Sequence, residues 1–159
     1  MTKKNMNKEL EFLYESNMIE GEMSGLALLD AHMAWEHICS LKKKKLSVDD
    51  IMMTHYYLMK SLNPRIAGVR RKVPVYIGGR EAVNAGQIGR LLMQLTENKP
   101  KTWAEIKKWH IDYEGIHPFE DGNGRTGRII MNWHRKINKL PILVIHHGSE
   151  KWDYYDWFK

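Results

Sequence analysis

A single cysteine, Cys39, stands in the 159 residues, so no disulfide can form within the chain, and a reducing, cytoplasmic setting is the default reading. No run of about 18 apolar residues exists, the length a helix needs to cross a bilayer, so no membrane partner is expected. The opening Met1-Thr2-Lys3-Lys4-Asn5-Met6-Asn7 lacks the apolar stretch of a secretory leader. There is no internal repeat and no Ser/Pro-rich linker, so one domain is expected over residues 1–159. Acidic residues are outnumbered, 19 against 25 Lys and Arg, which gives a net charge of +6 and a pI near 9.3. That balance suits an anionic partner, whether nucleotide, nucleic acid or acidic protein.

What is present is helical periodicity. Leu28, Ala31, Trp35 and Ile38 recur at three- and four-residue steps, one apolar stripe of a helix. Lys42-Lys43-Lys44-Lys45 follows and reads as a solvated loop at a helix C-terminus, where cations suit the dipole. Ser47-Val48-Asp49-Asp50 reads as a capping box opening a helix that carries Ile51, Leu58 and Leu62 beside Met52, Tyr56 and Met59. Further stripes run through Ile88, Leu91, Leu92 and Leu95, and, behind a Thr102 cap, through Ile106, Trp109 and Tyr113. A fifth begins near Gly124 with Ile129, Trp133 and Ile137. The tryptophans and methionines fall mostly on these stripes and are expected in the core. Leu140 to Ile145 reads as extended, and Trp152 to Lys159 as the start of a closing helix.

One segment breaks the pattern. Residues 68–79 are bounded by Gly68 and by Gly78-Gly79, with Val73, Val75 and Ile77 alternating, and are expected to form a short β-hairpin. Pro74 confines it to an edge, where free backbone groups can pair with an extended peptide. The fold class expected is therefore mainly α, a compact helical bundle with one short hairpin.

The chemistry concentrates in residues 117–128, His-Pro-Phe-Glu-Asp-Gly-Asn-Gly-Arg-Thr-Gly-Arg. Gly122-Asn123-Gly124 stands between two helical patterns, and the following helix turns unpaired N–H groups and its positive dipole end to the loop, an anion site. Arg125 and Arg128 are three apart, so both project from the first turn, and guanidinium forks match phosphate oxygens. Asp121 beside a phosphate site would be repelled unless a Mg²⁺ ion bridged the two. His117 supplies a base whose ordinary pKa is closest to neutrality. The combination is what handling a nucleoside triphosphate requires. Eight nearly fixed positions at about 5% average frequency recur by chance on the order of once in 10¹⁰ starts.

The segment resembles the signature of the Fic domain, His-x-Phe-x-(Asp/Glu)-Gly-Asn-Gly-Arg-x-x-Arg, at every fixed position. Tyr113-Glu114-Gly115-Ile116 before it, and the hairpin with Gly68, Arg71, Val73 and Ile77, look like that family's approach helix and target-docking flap. The resemblance runs from Ser16 to about Tyr155, and members of the family usually continue further. It implies a Fic fold with the flap near the active site and transfer of AMP from ATP to a Ser, Thr or Tyr hydroxyl of a target protein. His117 would be the base and Asp121 the Mg²⁺ carboxylate. Asn123 and the amides of Gly122 and Gly124 would bind the phosphates, Arg125 would position the β-phosphate and Arg128 the γ-phosphate. Val73, Val75 and Ile77 would dock the target, and Phe119 would anchor the loop from the core. Asn132, Tyr154 and Tyr155 are candidates for the base pocket.

Ser16-Asn17-Met18-Ile19-Glu20-Gly21 fits the family's inhibitory motif, (Ser/Thr)-x-x-x-Glu-(Gly/Asn). Ser16 and Glu20 are four apart and share one face of a helix that Gly21 can terminate, so residues 1–21 are expected to form an inhibitory helix. The resemblance implies that Glu20 pairs with Arg128 and shuts the site. Some braked relatives also remove AMP, and nothing in these residues separates the two directions. Kinase-like relatives carry a lysine in place of the second loop glycine, and Gly124 argues against that chemistry. Transfer of another nucleotide remains open, as does assembly of like subunits. A basic nucleic-acid-binding module, resting on Arg70-Arg71-Lys72 and the lysine run, is disfavoured by the lack of a helix-turn-helix or aromatic platform. A non-catalytic interaction module is the remaining alternative.

Overall fold

The computed structural model describes residues 3–43 and 45–159, with side chains from Lys8 onward. Met1 and Thr2 of the 1–21 segment, and Lys44 of the lysine run, lie outside the described residues. Seven α-helices are present among the described residues: α1 (Lys3–Ile19), α2 (Gly25–Ser40), α3 (Val48–Met59), α4 (Ile88–Glu97), α5 (Trp103–Ile116), α6 (Asn123–Ile137) and α7 (Glu150–Tyr155). A 3₁₀ turn, Ala85–Gln87, leads into α4, and another, Asp156–Phe158, follows α7. The only strands described are β1 (Tyr76–Ile77) and β2 (Arg80–Glu81), paired antiparallel. The mainly α bundle with one small hairpin is the expected class.

Local chemistry sets the helix starts. The Ser24 hydroxyl accepts from the Ala27 amide, which begins α2. Both expected caps are reciprocal boxes: Ser47 with Asp50 opens α3, and Thr102 with Glu105 opens α5. α1 ends where Gly21 turns to φ 71, as a C-terminal glycine allows. Its outer face is tied to the segment before α7 by His146 against Glu11, and by His147 against Glu15 at 2.6 Å. Asp30 of α2 is buried and accepts from both the amide and the hydroxyl of Ser61, which fixes the end of α3 against α2. α3 stops at Met59, so Leu62 lies beyond it in a turn.

α6 is the axis of the molecule. It packs against α1, α2, α3 and α5, and twelve of its fifteen residues are buried. Around it lie Leu13, Trp35, Ile38, Tyr113 and Phe119, all fully buried. A second, smaller cluster of Ile19, Ile106, Met131, Ile145 and Tyr154 joins the end of α1 to the C-terminal segment. Leu140 to Ile145 is extended without forming a strand, held by Asn132, whose amide bridges both backbone groups of Leu143, and by Arg135 on the Pro141 carbonyl.

Two expectations are corrected. The hairpin sits later than residues 68–79, because Gly78-Gly79 is its turn and not its end. Both glycines have positive φ, 54 and 80, the combination a two-residue hairpin turn requires. Val73 and Val75 lie before the strands, although the Val75 carbonyl accepts from the Ala82 amide at 2.9 Å and extends the pairing by one bond. Gly68 makes a separate turn over α3, where a Cβ would sit 3.0 Å from that of Tyr56. The methionines are also misread by periodicity alone. Met59 and Met131 are buried, whereas Met23, Met33, Met53 and Met93 are exposed, as is Trp152, because unbranched apolar side chains recur on helix faces that nothing covers.

Burial holds three histidines neutral: His55 and His110 are pushed down to about 4, and His134 to about 3. An unfolded chain would protonate them near pH 6.5, so between about 6.5 and 4 the unfolded state binds more protons and stability falls as the pH falls. Each contributes a slope of up to about 1.4 kcal/mol per pH unit. His146 acts oppositely: Glu150 and Glu11 raise its pKa, so its contribution is complete below about 6.5 and is lost as the pH climbs past that. Urea denaturation at pH 7, 6 and 5 should show a progressive loss of stability before the carboxylates titrate, and flat midpoints over that range would contradict it.

Candidate active site

α5 ends because His117 takes the left-handed conformation, φ 50, with its amide returned to the Tyr113 carbonyl at 3.1 Å. A non-glycine residue there is uncommon and has to be held by its surroundings. The loop that follows re-enters helix at Asn123, behind Gly122 at φ 81. Three groups brace it. The Asn123 carboxamide accepts from the Phe119 amide (2.9 Å) and donates to the Phe119 carbonyl (2.8 Å). Phe119 is fully buried and stacks on His55, with ring centroids 3.6 Å apart. His55 donates from Nε2 to the Asp121 carbonyl (2.8 Å) and accepts at Nδ1 from the Gly68 amide (3.0 Å), a pattern only the neutral ring can make. Buried Arg71 donates to the carbonyls of His117 (2.7 Å), Ile116 and Val83, and so ties the hairpin region to the end of α5.

The loop and the first turn of α6 floor a cleft of about 920 Å³. His117 and Glu114 stand on one wall, Ile77 and Val83 overhang it from the hairpin, and Tyr154, Tyr155 and Phe158 close it from the C-terminal segment. Arg125 is 4% exposed, and its Nε and Nη1 are buried without partners. Its Nη2 reaches only the Met59 sulfur at 3.4 Å and, more distantly, Asp121 at 3.6 Å. Buried donors with nothing to bind are costly, so this guanidinium is suited to an incoming anion.

Arg128, by contrast, is fully engaged. It donates from Nε to the Ser16 hydroxyl (2.8 Å), from Nη2 to the Ser16 carbonyl (3.0 Å) and to Glu20 Oε1 (2.7 Å), and from Nη1 to the Tyr154 hydroxyl (3.3 Å). Burial works against its charge, and Tyr154 and Glu20 outweigh that and hold its pKa above the ordinary value. The fit depends on Gly124, where a Cβ would lie 2.5 Å from Glu20 Oε1 and 3.0 Å from Arg128 Nη1. The cleft therefore holds one guanidinium with two unpartnered donors and one already paired with Glu20, just past the end of α1.

His117, Asp121, Gly122, Asn123, Gly124, Arg125, Arg128 and Glu20 all line this cleft, and Ser16 lies buried behind Arg128. Asn123 has both ends of its carboxamide occupied by Phe119, so only its backbone N–H remains for a phosphate. Of the three expected flap residues, Ile77 lines the cleft and Val73 and Val75 do not. Tyr154 and Tyr155 line it, whereas Asn132 is occupied with Leu143. Asp121 has a side chain 70% exposed, with Oδ1 on the Gly122 amide at 2.7 Å. Among the described residues no three His, Cys, Asp or Glu groups converge on a metal position, so a Mg²⁺ ion here would share Asp121 with ligand oxygens. His55 and His110 are not among the expected residues, and Met59 and Arg71, expected on a helix face and in the flap, serve instead as supports of the site. His55 is 66 residues from the Asp121 it holds, and no local spacing points to it.

Asn123→Ala should lower folding stability by about 2–4 kcal/mol, since it strands two buried backbone groups of Phe119. Chemical denaturation checks this, and an unchanged midpoint would mean the carboxamide is not a brace.

Against known proteins, residues 45–134 match the profile of the Fic/DOC family. Proteins called "Protein adenylyltransferase Fic" from Drosophila erecta and Drosophila grimshawi are 31% and 28% identical over 141 residues. These alignments cover 82% of this chain but 28% of each relative, so the chain spans under a third of the length of those proteins. In three dimensions it superposes on Fic-1 (residues 134–508) of C. elegans with a TM-score of 0.83 and 17% identity, covering 99% of this chain and 58% of that one. A Fic-domain signaling protein from Bacteroides thetaiotaomicron gives 0.81 and 22%, with coverage of 96% and 70%. BepC from Bartonella tribocorum, solved with bound AMPPNP, gives 0.55 and 17%, with coverage of 70% and 66%. With the profile spanning more than half of the residues and the fold shared along nearly the whole length, the chain belongs to the Fic/DOC family.

Proposed function

We propose that the chain is a protein adenylyltransferase, moving AMP from ATP onto a Ser, Thr or Tyr hydroxyl of a protein target, and that Glu20 is its brake. One arrangement carries this reading: a histidine base and two buried guanidiniums face one cleft at the N-terminus of α6. The adenylyltransferase relatives and the AMPPNP in BepC support it.

The His117 ring places Nδ1 toward the Glu114 carbonyl at 3.3 Å, which assigns the proton to Nδ1 and leaves Nε2 as the free base. As the target hydroxyl attacks, its oxygen bonds to the α-phosphorus, the bond from that phosphorus to pyrophosphate breaks, and the hydroxyl proton passes to Nε2. The α6 amides behind Gly122 and the unpaired donors of Arg125 receive phosphate oxygens. A Mg²⁺ ion at Asp121 would neutralise phosphate charge. Gly124 supports nucleotidyl over γ-phosphoryl transfer, since it stands where the kinase-like relatives carry a lysine. The hairpin edge above the cleft offers backbone groups to an extended target segment.

With Glu20 on Arg128 at 2.7 Å, the guanidinium assigned to the γ-phosphate is occupied. Ionic hydrogen bonds of this kind contribute about 1.5–3 kcal/mol, so Glu20→Gly should raise self-labelling about 10–100-fold. Incubation with Mg²⁺ and ATP labelled at the α-phosphate measures this. Label should appear on protein, vanish with His117→Ala, and be absent when ATP carries the label at the γ-position. Labelling from γ-labelled ATP, or labelling that survives His117→Ala, would overturn the assignment.

A further inference from the structure

Glu114 is a carboxylate in a place that calls for an account. It lies one turn before His117 on α5, its side chain is 12% exposed, and Oε1 is buried with no hydrogen-bond partner. Room has been cleared for it: a Cβ at Gly127 of α6 would stand 2.8 Å from Glu114 Oε1 and 2.8 Å from the His110 ring. A buried anion costs stability unless it is paired, and Oε1 has no partner to offset that cost. Its other oxygen, Oε2, stands 3.6 Å from His117 Nδ1, on the same side of the ring as the residue's own carbonyl.

Resting on the adenylyltransferase reading, we propose that Glu114 is a positioning residue for His117, a fixed negative charge that holds the ring with Nε2 toward the target hydroxyl and stabilises the imidazolium formed when that nitrogen takes the proton. The left-handed backbone at His117 makes this possible by folding the ring back over the last turn of its own helix, so that Nδ1 meets residue 114 twice. The other charged residues of the cleft are Glu20, Arg80, Glu81, Glu120, Asp121, Arg125, Arg128 and Lys159. Among the described residues none of these lies within ion-pair distance of the imidazole, and Glu114 is its one charged partner. Glu114 is itself kept ionised: burial opposes the charge, but the His117 ring and the Arg128 guanidinium outweigh it and hold its carboxyl below the usual range. The proton balance is closed. Nδ1 keeps its proton throughout, Nε2 gains the one from the hydroxyl, and that proton leaves to solvent after pyrophosphate departs.

The test is made in the Glu20→Gly background, with α-labelled ATP and Mg²⁺. Glu114→Gln, nearly isosteric, should lower kcat for self-labelling about 10–100-fold, the range of a weakened general base, with KM for ATP within about twofold. The acid limb of its rate profile should move to lower pH by about one unit, because the protonated ring loses its stabilising charge. Glu114→Asp keeps the charge and should move that limb less. Ring NMR signals of His117 in the nucleotide-free protein should show the same displacement in an ordinary pH titration. A Gln variant with unchanged kcat, a change confined to KM, or a limb that stays in place would overturn the proposal, as would an Asp variant displaced as far as Gln. Should the parent label nothing, the adenylyltransferase reading fails while the NMR titration still decides the role of Glu114.

Discussion

A buried guanidinium is costly unless acceptors meet it, and the way Arg128 is met organises this molecule. It is 2% exposed on α6, the helix around which the others pack. Four bonds from two distant elements satisfy it: Ser16 and Glu20 at the end of α1, and Tyr154 on α7. Those elements lie more than a hundred residues from one another, and the smaller apolar cluster of Ile19, Ile145 and Tyr154 binds them together at the same place. Withdrawing Glu20 from a buried cation is costly unless another anion replaces it. A phosphate would do so, and for that reason one contact can serve both as structural anchor and as the brake we propose.

The loop beside it is rigid for a related reason. Its backbone groups are satisfied by side chains, two from outside the motif and one within it: His55 on Asp121, Arg71 on His117 and Asn123 on Phe119. None of these side chains is left free to meet a ligand. They hold the amides of α6 and the His117 ring in place, and on the function we propose little reorganisation would remain for the reaction itself. Arg125 is the exception, with buried donors still waiting.

Much of this could be read from local order in the chain. The capping boxes at Ser47 and Thr102 and the stripes of α2, α4 and α5 are short-range patterns, and they mark helices where helices occur. The reading of α6 was less complete. Its stripe of Ile129, Trp133 and Ile137 suggests one buried face, whereas Arg125, Arg128, Asn132, His134 and Arg135 are buried as well. Arg128, Asn132 and Arg135 look solvent-facing until their partners are known, and those come from the end of α1, from the Leu140–Ile145 segment and from α7; Arg125 meets Met59 of α3, and His134 is buried with no hydrogen-bond partner. The hairpin was displaced for a similar reason, since alternating valines are a weaker signal than a glycine pair whose positive φ values define the turn.

Residues 117–128 declared the chemistry because a base, a carboxylate, loop glycines and two arginines act together at short spacing, and short spacing is preserved by backbone geometry whatever the rest does. The Ser16–Glu20 face was equally visible as a helical repeat. Which arginine is paired and which is open could not be decided that way. Arg125 and Arg128 differ by three positions on one helix, yet only Arg128 meets Glu20, because α1 and α7 converge over one turn of α6 and leave the adjacent turn to the cleft. That asymmetry is a property of packing between segments far apart in the chain, where burial and desolvation, not residue type, determine what each charge can do.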